Sequence, residues 1–224
     1  MTDPATVTCC LTSAGRYDLL EKTLESFFKY NTYNDISEFI ISEDTDFDVT
    51  ILDNVREMFY KYASAELPLM VIMGKVGQIA SIDRMYKQVT TPYIFHMEDD
   101  FEFFRHSFVE KSIEILECDP KLFQVHLREQ NDLNGHKVVA FSDKYDLLEY
   151  GCANGWSGFS LNSGLRKTAD YKLVGTGGYA SIGHELELAK YFYDVHRFIA
   201  AITKQGYVRH IGGGRTVRDV MRIK

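Results

Sequence analysis

The segment Tyr93-Ile94-Phe95-His96-Met97-Glu98-Asp99-Asp100 sets three consecutive carboxylates directly after a short apolar run. Like charges this close repel, and each raises its neighbours' pKa unless a cation neutralises them. Their oxygens suit a hard ion, Mg2+ or Mn2+, which in turn favours a substrate phosphate. Taken alone, the triplet also reads as an acidic turn capping the helix that follows. A second candidate is Val208-Arg209-His210-Ile211-Gly212-Gly213-Gly214-Arg215. Its glycines let backbone amides approach a diphosphate, and Arg215 and Arg218 can neutralise one.

Such residues need elements to position them, and the first half of the chain alternates strand and helix. Thr6 to Leu11, Glu38 to Ser42, Leu69 to Met73 and Tyr93 to Met97 read as short strands. Tyr17 to Tyr30, Asp48 to Tyr62 and Gly77 to Gln88 carry apolar residues at helical spacing. This order predicts an α/β fold, with a mostly parallel sheet and helices on both faces. The second half predicts a helix at His106 to Leu116, strands at Leu122 to Leu127 and Lys137 to Phe141, and a last helix within Ser181 to Thr203. Between them lies the glycine-rich stretch Gly151 to Gly183. No composition break marks a second domain, so one domain over 1–224 is expected.

In open parallel sheets, ligands bind beyond the carboxyl ends of the strands. Thr12, Ser13 and Arg16 follow the first strand, Glu43 and Asp44 the second, Lys75 the third, and Glu98 to Asp100 the fourth. None of these loops reads GxGxxG or GxxxxGK, so neither a dinucleotide fingerprint nor a P-loop is present.

The 224 residues are 45% hydrophobic and carry a net charge of −7, which excludes disorder as the main state. An acidic balance argues against general nucleic-acid binding, whose affinity comes from phosphate neutralisation. Cys9 and Cys10 are adjacent, Cys118 and Cys152 are distant, and no CxxC pair exists. That pattern suits reduced thiols in a reducing compartment. No signal peptide and no membrane-spanning apolar stretch is read, so a soluble cytoplasmic protein is expected.

Thr8 to Asn31, with its strand, Arg16 and amphipathic helix, resembles the opening of glycosyltransferase family 2. Gly77 to Arg84 is similar to that family's helix before the central strand. Glu98-Asp99-Asp100 resembles its DxD motif, with Glu98 in place of the first Asp. The likeness runs from about residue 6 to about residue 218 and rests on order and spacing. It implies the GT-A fold: a nucleotide-sugar-binding half, about 1–104, and an acceptor-binding half, about 105–224.

The resemblance also implies roles. Asp100 and His210 would ligate Mn2+ or Mg2+, His210 through the His-x-Gly element that closes such sites. Thr12, Ser13, Arg16, Glu43 and Asp44 match donor-binding positions. Lys75, Arg84, Glu98, Asp99 and Arg215 are further donor contacts. Gly183-His184-Glu185-Leu186-Glu187-Leu188 resembles the family's Gly-Glu-Asp-x-Glu-Leu. On that register Glu185 is the catalytic base, His184 departs from the usual acid, and Glu187 is the reserve. Trp156 would stack on an acceptor or donor sugar. The expected activity is a metal-dependent, inverting hexosyl transfer from a nucleotide sugar, UDP-hexose by default, to the hydroxyl of a glycan or other acceptor. The alternatives are a nucleotidyltransferase and a non-catalytic nucleotide-sugar-binding module. The chain is close to the minimum length for this fold, which leaves room for it to be part of a longer polypeptide.

Overall fold

The computed structural model describes residues 5–133, 136–149 and 158–213. Four parallel strands build the first half: β1 (Val7–Ser13), β2 (Ile36–Glu43), β3 (Leu69–Met73) and β4 (Tyr93–Glu98). Helices α1 (Tyr17–Tyr30), α2 (Val49–Tyr60) and α3 (Gln78–Tyr86) connect them. Successive side chains on a strand face opposite ways. Val7, Cys9 and Leu11 of β1 therefore enter one core cluster, and Cys10 enters the other. Leu20, Leu24 and Phe27 of α1 close over the first face. Phe27 sits edge-on to Phe39 and Phe103, and burying such a ring contributes roughly 2–3 kcal/mol. Ile82, Met85 and Tyr86 of α3 cover the opposite face.

The sheet continues through β6 (Leu122–His126), β7 (Val138–Val139), β8 (Tyr145–Leu148), β9 (Gly164–Lys167) and β10 (Ile199–Thr203) in the order β3-β2-β1-β4-β9-β6-β10-β8-β7. β9 lies antiparallel between β4 and β6, while β6 and β10 are parallel. Helix α4 (Phe108–Leu116) packs on the first face, and a short α5 (Thr168–Lys172) follows β9. A 3-10 turn at Tyr179–Ser181 precedes α6 (Glu185–His196). Outside the main sheet, β5 (Phe101–Phe103) pairs antiparallel with β11 (Val208–His210).

The α/β architecture with helices on both faces is as expected, and α1 and β3 have the expected limits. Strands β5, β8, β10 and β11 are not among the expected elements, and three further details differ. β9 and α5 occupy part of the stretch read only as glycine-rich. Gly164 is needed there, because a Cβ would overlap the Val125 carbonyl of β6. The strand expected over Lys137 to Phe141 shortens to Val138–Val139, since the Phe141 amide donates to Asp146 Oδ1 at 3.1 Å. Helix α4 starts at Phe108, because Ser107 before it has a left-handed φ of 64°.

Candidate functional site

The chain adds β2 and β3 on one side of β1, then returns to lay β4 on the other side. The switch point lies between β1 and β4, where open sheets bind ligands. Beyond the strand ends the ladder persists: Asp99 N donates to Thr12 O at 3.0 Å, Asp44 N to Ser13 O at 2.8 Å, and Gly74 N to Glu43 O at 3.2 Å. Four loops are thereby drawn to one edge.

Arg16 bridges the switch point. Its Nε donates to Asp99 Oδ2 at 3.2 Å, its Nη2 pairs with Asp99 Oδ1, and its Nη1 reaches Asp100 Oδ2 at 2.7 Å. The Ala14 amide donates to Asp99 Oδ2 at 3.2 Å. Asp99 is 1% exposed, so it anchors the first loop from beneath rather than opening onto solvent. Burial raises its carboxyl above the ordinary value, while Arg16 opposes.

Asp100 is placed differently. His210 Nε2 lies 3.3 Å from its Oδ2, and the Ile211 amide donates to its carbonyl at 2.8 Å. Pairing of β11 with β5 creates this contact, setting His210 opposite Phe101. Gly212 fits closely here: a Cβ would overlap the Asp100 carboxylate. Burial opposes ionisation of Asp100, but His210 and Arg16 outweigh it and hold the carboxyl below its ordinary value. Neighbouring ligands of an octahedral ion, each about 2.1 Å from it, stand about 3.0 Å apart. The Asp100–His210 pair fits that spacing, and a hard oxygen beside a neutral imidazole is a chemically reasonable donor set. Among the described residues, no group of three His, Cys, Asp or Glu gathers closely enough to hold an ion by itself. Two protein ligands suit an ion that keeps waters and substrate phosphates in its remaining positions.

Glu98 at the end of β4 and Glu185 at the start of α6 lie close enough to influence each other. Gln78 Nε2 donates to Glu98 Oε1 at 2.5 Å. Burial holds the Glu98 carboxyl well above the ordinary range, reinforced by Asp100, Glu185 and Asp99 and opposed by Arg16. Glu185 is the first residue of α6, and its Oε1 accepts the Leu161 amide at 2.6 Å. Burial raises Glu185 too, while the Leu161 amide, the Ser160 hydroxyl and Arg166 work against the rise. Glu187 turns away: its Oε2 accepts the His184 amide at 3.1 Å, capping the helix that Glu185 opens.

The remaining candidates mostly shape loops. Thr12 Oγ1 lies 3.5 Å from the Met97 carbonyl, and Ser13 is buried. Glu43 is fully buried and its Oε1 accepts the Gly15 amide at 2.8 Å. Asp44 Oδ1 accepts the Val76 and Gly77 amides at 2.6 and 2.9 Å, tying the second βα loop to the third. Lys75 is exposed on that third loop. Arg84 turns to the Met73 carbonyl at 3.4 Å, under Gly74, and not to the carboxylates. Trp156, Arg215, Arg218 and Cys152 lie outside the described residues. Cys9 and Cys10 are buried free thiols, and Cys118 is exposed.

Two positioning groups carry no obvious mark in the sequence motifs. Asp83 Oδ1 accepts the Tyr179 amide at 2.8 Å and the Tyr171 hydroxyl at 2.9 Å, and its Oδ2 accepts the Ala180 amide at 2.9 Å. It fixes the 3-10 turn that leads into Glu185. A signal does exist: Ile79, Ile82, Asp83 and Tyr86 share helical spacing, so a carboxylate stands in an apolar stripe. The other is Arg166 of β9, 3% exposed, which holds the Ser160 carbonyl at 2.7 Å. No local pattern distinguishes it.

No protein-family model and no curated protein sequence matches the chain. Solved structures do. The mannosyltransferase PcManGT from Pyrobaculum calidifontis, in complex with GDP-Man and Mn2+, is similar at TM-score 0.64 and 15% identity, over 92% of this chain and 59% of that one. S. aureus TarS 1–349 is similar at TM-score 0.60 and 12% identity, over 97% of this chain and 64% of that one. A longer S. aureus TarS chain gives TM-score 0.57 and 13% identity, over 97% and 38%. The chain thus spans less than two thirds of each of these proteins. Identities this low carry the fold alone, and that fold is GT-A.

Proposed function

We propose that the chain is a metal-dependent glycosyltransferase, moving a sugar from a nucleotide-sugar donor to an acceptor hydroxyl. One observation carries this reading: Asp100 with His210, Glu98 and Glu185 converge at the switch-point edge from β4, the loop after it, β11 and α6. GDP-Man and Mn2+ bound by PcManGT support a nucleotide-sugar donor and a divalent ion.

Asp100 and His210 would hold the ion. A divalent ion so held supplies Lewis-acid stabilisation of the charge that develops on the leaving diphosphate. Glu185 takes the proton of the acceptor hydroxyl at Oε2 as the hydroxyl oxygen bonds to the anomeric carbon and the bond to the diphosphate breaks. The Leu161 amide fixes Oε1 and so orients the carboxylate. With base and leaving group on opposite faces of the sugar, the anomeric configuration inverts. Gln78 holds the Glu98 carboxylate, which interacts with both Asp100 and Glu185. Arg16 neutralises the carboxylates beneath the diphosphate site.

The test is a thermal-shift panel of UDP- and GDP-hexoses with and without Mn2+. A ligand at one hundred times its Kd stabilises the folded state by about 2.7 kcal/mol. A true donor raises the melting temperature only with the ion present. No shift with any nucleotide sugar and Mn2+ contradicts the reading.

A further inference from the structure

Arg166 is a cation buried in the middle of the sheet. Its Nη1 donates to the Tyr86 hydroxyl at 3.0 Å, and its Nη2 to the carbonyls of Ser160 at 2.7 Å and Asn162 at 3.3 Å. Its guanidinium lies 5.4 Å from the Phe159 ring centroid. Its Nε is buried with no hydrogen-bond partner. A buried guanidinium ordinarily pairs with a carboxylate. Among the described residues, no ion pair involves Arg166.

The groups it grips form a turn with one outward consequence. The Ser160 carbonyl also accepts Gln124 Nε2 at 2.7 Å, and Gln124 Oε1 accepts the Ser160 amide at 3.2 Å. Ser160 and Asn162 are thus tied from two strands. Between them, Leu161 presents its amide to Glu185 Oε1 at 2.6 Å.

We infer that Arg166 is the positioning residue for Glu185, fixing the Ser160–Asn162 turn that orients the carboxylate and supplying the positive charge that faces it. The inference rests on the reading of Glu185 as base. Four groups face that carboxylate: Glu98 from β4, Arg166 from β9, and the Ser160 hydroxyl and Leu161 amide from the turn. His184, the N-cap of α6, and Glu187 on α6 are its neighbours, and both are exposed. Arg166 is the one cation in the set. Its charge works against the rise that burial imposes on Glu185.

The variants R166K and R166M separate the two parts. R166K keeps the charge but cannot span the Tyr86 hydroxyl and both carbonyls together. Leu161 amide exchange is then about ten-fold faster. Release of GDP from GDP-mannose with Mn2+ falls about ten-fold in kcat with KM unchanged. R166M also removes the charge. The Glu185 carboxyl then titrates higher, because the opposing charge is gone. The change is read by carboxyl carbon NMR, with the resonance assigned by its loss in E185Q, and as a displacement of the acid limb of kcat/KM. Wild-type Leu161 exchange and kcat in R166K overturn the proposal, and so does an unchanged titration in folded R166M. R166K decides alone where R166M does not fold. Full turnover in E185Q would sink the base reading instead, and the Leu161 exchange rates would still judge Arg166.

Discussion

Arg16 and Asp99 form a two-point ion pair across the switch point, with Nε 3.2 Å from Oδ2 and Nη2 against Oδ1. The pair joins the start of α1 to the end of β4, and Arg16 extends it to Asp100. The three acidic residues therefore divide their work. Asp99 secures the first loop, Asp100 stands with His210, and Glu98 faces Glu185.

Replacing Arg16 by Met leaves Asp99 buried without its cation. Losing one partner of a buried pair costs about 3–5 kcal/mol. Urea unfolding is expected to show a loss of that size, partly restored by millimolar Mn2+. Wild-type stability in R16M contradicts the assignment.

Gly212→Ala puts a Cβ into the Asp100 carboxylate. His210 and Asp100 cannot then keep their 3.3 Å contact. Mn2+ affinity, measured by calorimetry with a nucleoside diphosphate present, is expected to fall at least about ten-fold, or about 1.4 kcal/mol. An unchanged affinity means the ion sits elsewhere.

Asp83→Asn removes the charge that accepts two amides and the Tyr171 hydroxyl. Hydrogen bonds to charged groups contribute about 1.5–3 kcal/mol each, and an amide side chain keeps part of them. A loss of about 2 kcal/mol is expected on denaturant unfolding. Gly178→Ala should do likewise, because Gly178 has a φ of 68° and a Cβ there would overlap Asp83. The two losses should be less than additive, since both loosen one contact.

How far the sequence discloses this protein follows from where each residue's partners lie. α1 and β3 are legible because their apolar spacing is strong and local. The carboxylate triplet is legible because it follows a buried strand. β9 is not, because its residues Gly-Leu-Arg-Lys lack β propensity and are held by packing against Val125 and Tyr86. Arg166 carries no local mark, because its Tyr86 partner comes from α3 and the sheet closes around it only in the fold. Glu185 and Glu187 cannot be separated by spacing alone, but the amides each accepts tell them apart. Glu43 ends β2 and Arg84 lies in the last turn of α3, yet their side chains turn to backbone groups.

Glu185 also leaves a signature in stability. Burial raises its carboxyl in the folded state. Such a group contributes stability in full below the unfolded value, near pH 4.3, and loses it as pH rises through the folded value. Gln cannot ionise, so E185Q should exceed wild type in stability at pH 8. The advantage should vanish near pH 4. Urea melts at both pH values check this, and a pH-independent difference contradicts it.

The most direct test of the account is nucleoside diphosphate release from GDP-mannose and UDP-glucose with Mn2+, comparing wild type with E185Q. Removing a general base costs about 10²–10⁴-fold. The account predicts a loss of that size in kcat for E185Q with donor KM unchanged. Wild-type turnover in E185Q, or no release from either donor by the wild-type chain, would contradict it.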